Sequence, residues 1–282
     1  VAGGRLLYFL LGALLTAAPA PAQSKTLRII QAALHQFEGG PPLPAAHEFL
    51  PGEYVWVSFN VEGYKVSPQE SISLRYEIDA VDGDGLKYVE TKRDSIEAKL
   101  AVEDKDWKPK IHYDFLLPPL ALTNTGFIHI RVQDVLGETK AEHRIPLHVR
   151  GPSLRPSDRL EIQQFHFYRG ESDTIPLETP AYRPGGTLWA RFAITGYRLG
   201  DGNRFHVWYG IEVRRADGSS LYAEPKAAEQ QEESFYPKRY MQGALSLNLT
   251  RDLAAGEYTL IVRARDEVGA QDGEASRKFL VE

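Results

Sequence analysis

Cysteine is absent from this 282-residue chain. That excludes disulfide frameworks, thiolate zinc sites and cysteine nucleophiles at once. Excess positive charge is also missing. Lys and Arg number 33 against 38 Asp and Glu, for a formal net charge of −5, and the pI is about 6.0. The electrostatic footprint of a nucleic-acid binder is therefore lacking, and no nucleic-acid partner is expected. Sequence patterns for common enzyme sites are missing too: there is no G-x-S-x-G, no H-E-x-x-H and no phosphate-binding glycine loop. No cofactor is expected, and the chain reads as noncatalytic. No apolar run reaches the length of a membrane-spanning helix.

The longest apolar run is near the start. Arg5 precedes Leu6 to Leu15, and small residues follow, ending in Ala20-Pro21-Ala22. This is the pattern of a secretory signal peptide over residues 1–22, cut after Ala22. The expectation is a periplasmic or secreted protein with no transmembrane segment in the mature chain.

The remaining sequence repeats itself. Residues 27–85 lie on residues 160–218 without a gap. In that register Leu27, Ile29 and Gln31 meet Leu160, Ile162 and Gln164. Pro51-Gly52 meets Pro184-Gly185, Trp56 meets Trp189, and Gly63-Tyr64 meets Gly196-Tyr197. With the offset shortened by one residue, Asp134 and Gly137 meet Asp266 and Gly269. Such self-similarity marks one structural unit used twice. The expected organisation is a first module at 23–150, a linker at 151–158 and a second module at 159–282. The Gly and Pro residues around the linker predict a stiff connection.

Within each unit the apolar residues alternate with period two, the mark of half-buried strands. Val55, Val57, Phe59 and Val61 share one face, and Trp56, Ser58 and Asn60 the other. Ile72, Leu74, Tyr76, Ile78 and Ala80 form the next inward set, matched by Phe205, Val207, Tyr209, Ile211 and Val213. Asp-Gly turns follow, and each unit closes in a hairpin turning at Asp134–Gly137 or Asp266–Gly269. The fold class is all-β: two tandem antiparallel sandwiches. Matched polar stretches lie at 88–113 and 219–243, and residues 94–107 of the first read as either a short helix or a charged edge strand.

The opening pattern PGE…VWV.F.V.GY and the closing pattern, a Gly-aromatic start, an alternating strand and D-x-x-G, resemble those of bacterial immunoglobulin-like and fibronectin-III-like modules. The resemblance covers most of both copies and is at the level of fold. It implies extracellular spacer, adhesion or ligand-binding roles, and fold alone does not choose among them.

Several residues stand out as candidate sites. Trp56 and Trp189 are placed by the alternation on the face away from the aliphatic core. There an aromatic ring can receive a sugar or a partner protein, unless residues 39–44 and 171–180 fold back over it. Asp79, Asp82 and Asp84 cluster near a turn and are candidates for a calcium site, the alternative being an ordinary surface turn. Asp134 and Asp266 read as turn residues accepting backbone N–H bonds. Tyr64 and Tyr197 read as corner tyrosines bonding backbone. His129 and His143 sit on the two arms of one hairpin and would begin a zinc site if they met. The sequence therefore predicts an exported binding protein for an unknown protein or glycan partner. A carbohydrate-binding pair using Trp56 and Trp189, and a structural spacer, are the alternatives.

Overall fold

The computed structural model describes residues 26–104 and 106–282. The expected signal peptide lies outside the described residues. The first half forms β1 (Arg28–His35), β2 (Glu48–Phe49), β3 (Tyr54–Glu62), β4 (Ser71–Val81), β5 (Lys92–Lys99), β6 (Lys110–Leu116), β7 (Asn124–Asp134) and β8 (Thr139–Val149). The second half forms β9 (Glu161–Tyr168), β10 (Ala181–Tyr182), β11 (Thr187–Thr195), β12 (Phe205–Arg215), β13 (Ser220–Glu232), β14 (Tyr240–Asn248), β15 (Gly256–Asp266) and β16 (Gln271–Val281). The only helical turns among the described residues are short 3₁₀ segments at Val102–Asp104 and Asp201–Asn203.

The protein is all-β, and each half is a sandwich. In the first, the three-stranded sheet β1-β3-β6 faces the five-stranded sheet β2-β8-β7-β4-β5. In the second, β9-β11-β14 faces β10-β16-β15-β12-β13. Neighbouring strands are antiparallel, except that the short β2 and β10 run parallel to β8 and β16. The inward residues read from the alternation are buried: Val55, Phe59, Val61, Ile78 and Ala80 are fully enclosed, as are Phe205 and Val207. Tyr76 is the exception, half-buried at the core margin.

The polar stretch resolves into a charged edge strand followed by a 3₁₀ turn. β5, KRDSIEAK, turns only Ile96 and Ala98 toward the core and leaves its charges in water. Its counterpart β13 is a 13-residue edge strand with Pro225 in its middle. Opposite Pro225 the register of β12 shifts at Gly210, where a Cβ would collide with the Pro225 carbonyl. This is a bulge.

The repeat is kept in the backbone as well as in the sequence. Among the described residues, the six non-glycine residues with positive φ form three matched pairs. Gln31 and Gln164 have φ of 51° and 49°, Glu70 and Asn203 58° and 57°, Glu138 and Ala270 54° and 52°. Two of these pairs differ in residue type, so the fold imposes the conformation and not a local propensity. Gly63 and Gly196 share the same region at φ of 79° and 75°. A Cβ there would meet the carbonyl oxygen of Thr26 or Arg159, so both strain and clash enforce glycine. Gly196→Ala is expected to destabilise the protein by roughly 2 kcal/mol or more, read as a lower urea midpoint.

Candidate functional site

On the three-stranded sheet of the first module, alternate residues of β3 turn outward: Tyr54, Trp56, Ser58 and Asn60. The rings of Tyr54 and Trp56 stack with centroids 6.0 Å apart and planes 28° from parallel. Tyr54 is 56% exposed and Trp56 is half-buried. His35 on β1 and Asp114 on β6 lie directly across from Trp56. His35 Nδ1 donates to the Gly40 carbonyl at 2.8 Å. Its Nε2 must then accept from the Ser58 hydroxyl, also at 2.8 Å. A serine–histidine contact invites comparison with a hydrolase site. However, Ser58 is only 2% exposed, and the group orienting the imidazole is a backbone carbonyl and not a carboxylate. What the pair does is pin the loop after β1 against the sheet, beside Trp56.

The second module does the same with different chemistry. Tyr168 stands where His35 stands, Arg191 where Ser58 stands, and Thr187 where Tyr54 stands. The Arg191 guanidinium sits 4.5 Å from the centre of the Tyr168 ring. It donates to the Asp173 carbonyl at 2.6 Å and to that of Glu171. Asp173 is the counterpart of Gly40, so both copies tie down the same loop carbonyl. Trp189, opposite Tyr168 and Ser246, is half-buried. The stacked, outward pair of aromatics at these matched strand positions belongs to the first copy.

The three carboxylates singled out for calcium go separate ways. Asp79 lies on the outer face of the five-stranded sheet, in contact with Arg131, Thr91 and Lys87 (Nζ at 3.2 Å). Burial opposes its charge, but the hydrogen bonds from Thr91, Arg131 and Lys87 prevail and hold its pKa at about 2. In the second copy the same positions carry Glu212 and Arg263, 2.8 Å apart. Hydrogen bonds from Arg214 and Arg263 hold Glu212 at about 2. Asp79 is thus half of a strand-face ion pair used twice. Asp82 and Asp84 belong to the turn and face the other module. Among the described residues no group of three or more His, Asp or Glu converges as metal ligands would. His129 and His143 are one step out of register, opposite Arg144 and Ile130 respectively, and so point to opposite faces.

The turn and corner residues act as their positions imply. Asp134 and Asp266 are almost fully buried. Each caps its own hairpin with one oxygen and receives the Lys65 or Arg198 amide on the other, at 2.7 and 2.8 Å. The Tyr64 and Tyr197 hydroxyls donate to the carbonyls of Trp107 and Lys238.

A further cluster joins the modules. Asp82 Oδ1 accepts the amides of Asp84 and Leu86 at 2.9 and 2.8 Å, closing its turn. Its Oδ2 accepts the Tyr236 hydroxyl at 3.0 Å and Arg239 Nη2 at 3.2 Å. Arg239 Nη1 reaches Asp84 at 2.6 Å. The Tyr236 ring lies 5.1 Å from that of Tyr88, so a second-module residue joins the core of the first. Burial pushes Tyr88 up to about 12 and Tyr236 higher still. The linker is held from both sides. Thr123 bonds the carbonyls of Gly151 and Pro152, Gln163 bonds Arg155 in both directions, and Gln164 donates to the Ser153 carbonyl. Sequence reasoning missed Tyr236 and Arg239, which lie in the polar stretch where the copies differ. The one available signal was that the acidic turn, too, is peculiar to one copy.

No protein-family model matches the chain, and no curated protein matches its sequence. Among solved structures, the chain is similar to the C-terminal domain of the Streptococcus pyogenes antigen I/II-family protein AspA. The identity is 9% and the TM-score 0.31, over 91% of this chain and 99% of that one. The C-terminal domain of the Streptococcus agalactiae AgI/II polypeptide BspA gives 8% and 0.32, over 91% and 99%. Similarity this slight carries no functional weight. Among the described residues no helix is long and apolar enough to cross a membrane.

Two outcomes are expected. The depressed pKa of Asp79 contributes stability that is complete above its unfolded value and lost as pH falls through the folded one. The gap in unfolding free energy between wild type and Asp79→Asn should therefore be about 2 kcal/mol near neutrality and close between pH 4 and 2, as read by urea titrations at each pH. Tyr236→Ala should remove about 3 kcal/mol of inter-module stabilisation. It should split thermal unfolding into two transitions and raise the radius of gyration measured by X-ray scattering.

Proposed function

We propose that the protein is a noncatalytic, exported binding protein: two immunoglobulin-like modules held as a unit, with the outer aromatic face of the first as its contact surface. The observation that carries this reading is the stacked, outward Tyr54–Trp56 pair. Water gives up such area readily to an apolar or ring-shaped surface, and the polar edges of Tyr and Trp fix orientation. The pair stands on a sheet whose flanking loop is pinned by His35, so little conformational entropy remains to be lost on binding. The three-plus-five arrangement of strands supports the likeness to immunoglobulin-like and fibronectin-III-like modules. We divide the chain into modules at 23–150 and 159–282, a reading that the two separate sets of sheets support.

A glycan partner has a specific observation in its favour, the near-parallel setting of the two rings, which suits consecutive faces of a sugar chain. Peptidoglycan sacculi, chitin and cellulose serve as glycan probes, and cross-linking in the intact cell envelope captures protein partners. Tyr54→Ala should abolish retention on a glycan or loss-sensitive formation of one cross-linked adduct, while Trp189→Ala leaves both unchanged. Identical behaviour of wild type and Tyr54→Ala in both assays would sink the proposal.

A further inference from the structure

The three-stranded sheet of the second module ends at β14, which pairs with β11 on one side and with no described strand on the other. Its sequence, YMQGALSLN, holds no charged residue. Every other described sheet margin longer than two residues carries charge. β6, the counterpart of β14 in the first copy, sets Lys110 and Asp114 along the same edge, with His112 between them. β5 and β13 are charged repeatedly. β1 and β9 hold Arg28 and Glu161, and each is broken by a left-handed residue, Gln31 or Gln164. Charge, proline and bulges are what keep a sheet margin from pairing. β14 has none of them: its register with β11 runs from Tyr240 to Asn248 without a break.

One bond sets the direction of its main chain. The Leu249 amide donates to the Gly186 carbonyl at 2.9 Å. In an antiparallel ladder, alternate residues turn their N–H and C=O groups to one neighbour. The odd-numbered residues of β14 therefore bond β11, and Gln242, Ala244, Ser246 and Asn248 turn theirs to the open side. All four are exposed. The Tyr209 hydroxyl donates to the Ala244 carbonyl at 3.1 Å, and that carbonyl keeps a second lone pair. The core beneath is open on the same flank. Leu245 and Leu247 are half-buried, and a cleft of about 380 Å³ lined by Leu221, Tyr222 and Leu247 runs in beside them. Gly243 can have no side chain, because the Phe192 ring occupies the place a Cβ would take.

We propose that β14 pairs antiparallel with β14 of a second copy of this chain, with Ala244 opposite Ser246 and Gln242 opposite Asn248. The strand is self-complementary in this register. Both copies offer outward donors and acceptors in the same alternation, so these residues bond reciprocally. Small faces small, and amide faces amide. The Thr187 hydroxyl donates to Asn248 Oδ1 at 2.9 Å, which leaves Asn248 Nδ2 for the Gln242 side chain across the junction. On the inner face Leu245 meets Leu245 at the two-fold axis, and Leu247 faces Gly243 beside the Phe192 ring. No like charges meet along the pairing. The margins of β5, β6 and β13 bring charge or proline, so the margin that matches β14 is β14 itself. The facing sheet does not join, because β13, on the same flank, is kept from pairing by Pro225 and its bulge. The contact is isologous and closes as a pair. It does not depend on what the Tyr54–Trp56 face binds. It buries little more than one strand margin per copy, so the dissociation constant is expected at roughly 10–100 μM.

In sedimentation velocity the weight-average coefficient of the full mature chain should rise with concentration from a monomer value to a dimer value and no further. Ser246→Pro removes an amide that the monomer does not use. Its melting temperature should stay near that of the wild type while the dimer weakens about tenfold or more. Charge variants check the register without proline. Gln242→Lys with Asn248→Lys sets lysine against lysine across the junction and should prevent pairing. Gln242→Lys with Asn248→Glu sets lysine against glutamate and should restore it, with circular dichroism showing each variant folded. A wild type that stays monomeric to about 1 mM, the outcome if the margin serves a foreign strand, would overturn the proposal. So would assembly beyond the dimer, a Ser246→Pro variant that dimerises like wild type, or two charge variants that behave alike.

Discussion

The carboxylate of Asp82 is enclosed, and a buried charge must be matched on every side. One oxygen is spent on its own turn and the other on a tyrosine and an arginine from the far module. Neither half of the protein satisfies this group alone. The relative placement of the two sandwiches follows from that need, because Tyr236 and Arg239 reach Asp82 in one orientation. The bonds along the linker then agree with the orientation so set. Two modules that might have swung on a tether become one body, and the surfaces of each acquire a fixed relation to those of the other.

The fold was legible because the features that specify it recur. Period-two alternation, Pro-Gly and Asp-Gly turns and the closing hairpins occur twice in the same order, and the buried faces follow them almost residue by residue. The roles of Asp134, Asp266, Tyr64 and Tyr197 were legible for the same reason: each is a local solution to a backbone problem posed twice. The junction was not legible. It is made by residues about 150 positions apart, and Asp82, Tyr236 and Arg239 have no like counterparts in the repeat. A comparison of the copies registers those three only as differences. Asp79 misled for a related reason. Its neighbours in sequence are acidic, but its neighbours across the sheet, which the sequence does not display, are Arg131 and Lys87.

Equivalent positions need not hold equivalent residues to do the same work. His35 with Ser58 in one copy, and Tyr168 with Arg191 in the other, fasten the same loop carbonyl to the same sheet. The first uses neutral hydrogen bonds through an imidazole. The second uses a guanidinium lying on a ring. The backbone problem is constant, and side-chain chemistry is free to differ around it. That freedom let one copy keep a stacked aromatic pair on its outer face while the other put threonine in place of the tyrosine.

The long edge strand β13 has a consequence of its own. A thirteen-residue strand paired on one side alone would ordinarily invite a passing chain to extend the sheet along its open edge. Pro225 lacks the amide such a chain would need, the bulge at Gly210 turns the ribbon aside, and lysine and glutamates crowd the rest. β5 is guarded by its own run of charge. Along these two margins the protein does not lend its main chain to others, so a crowded compartment can hold many copies without their sheets fusing sideways into fibrils.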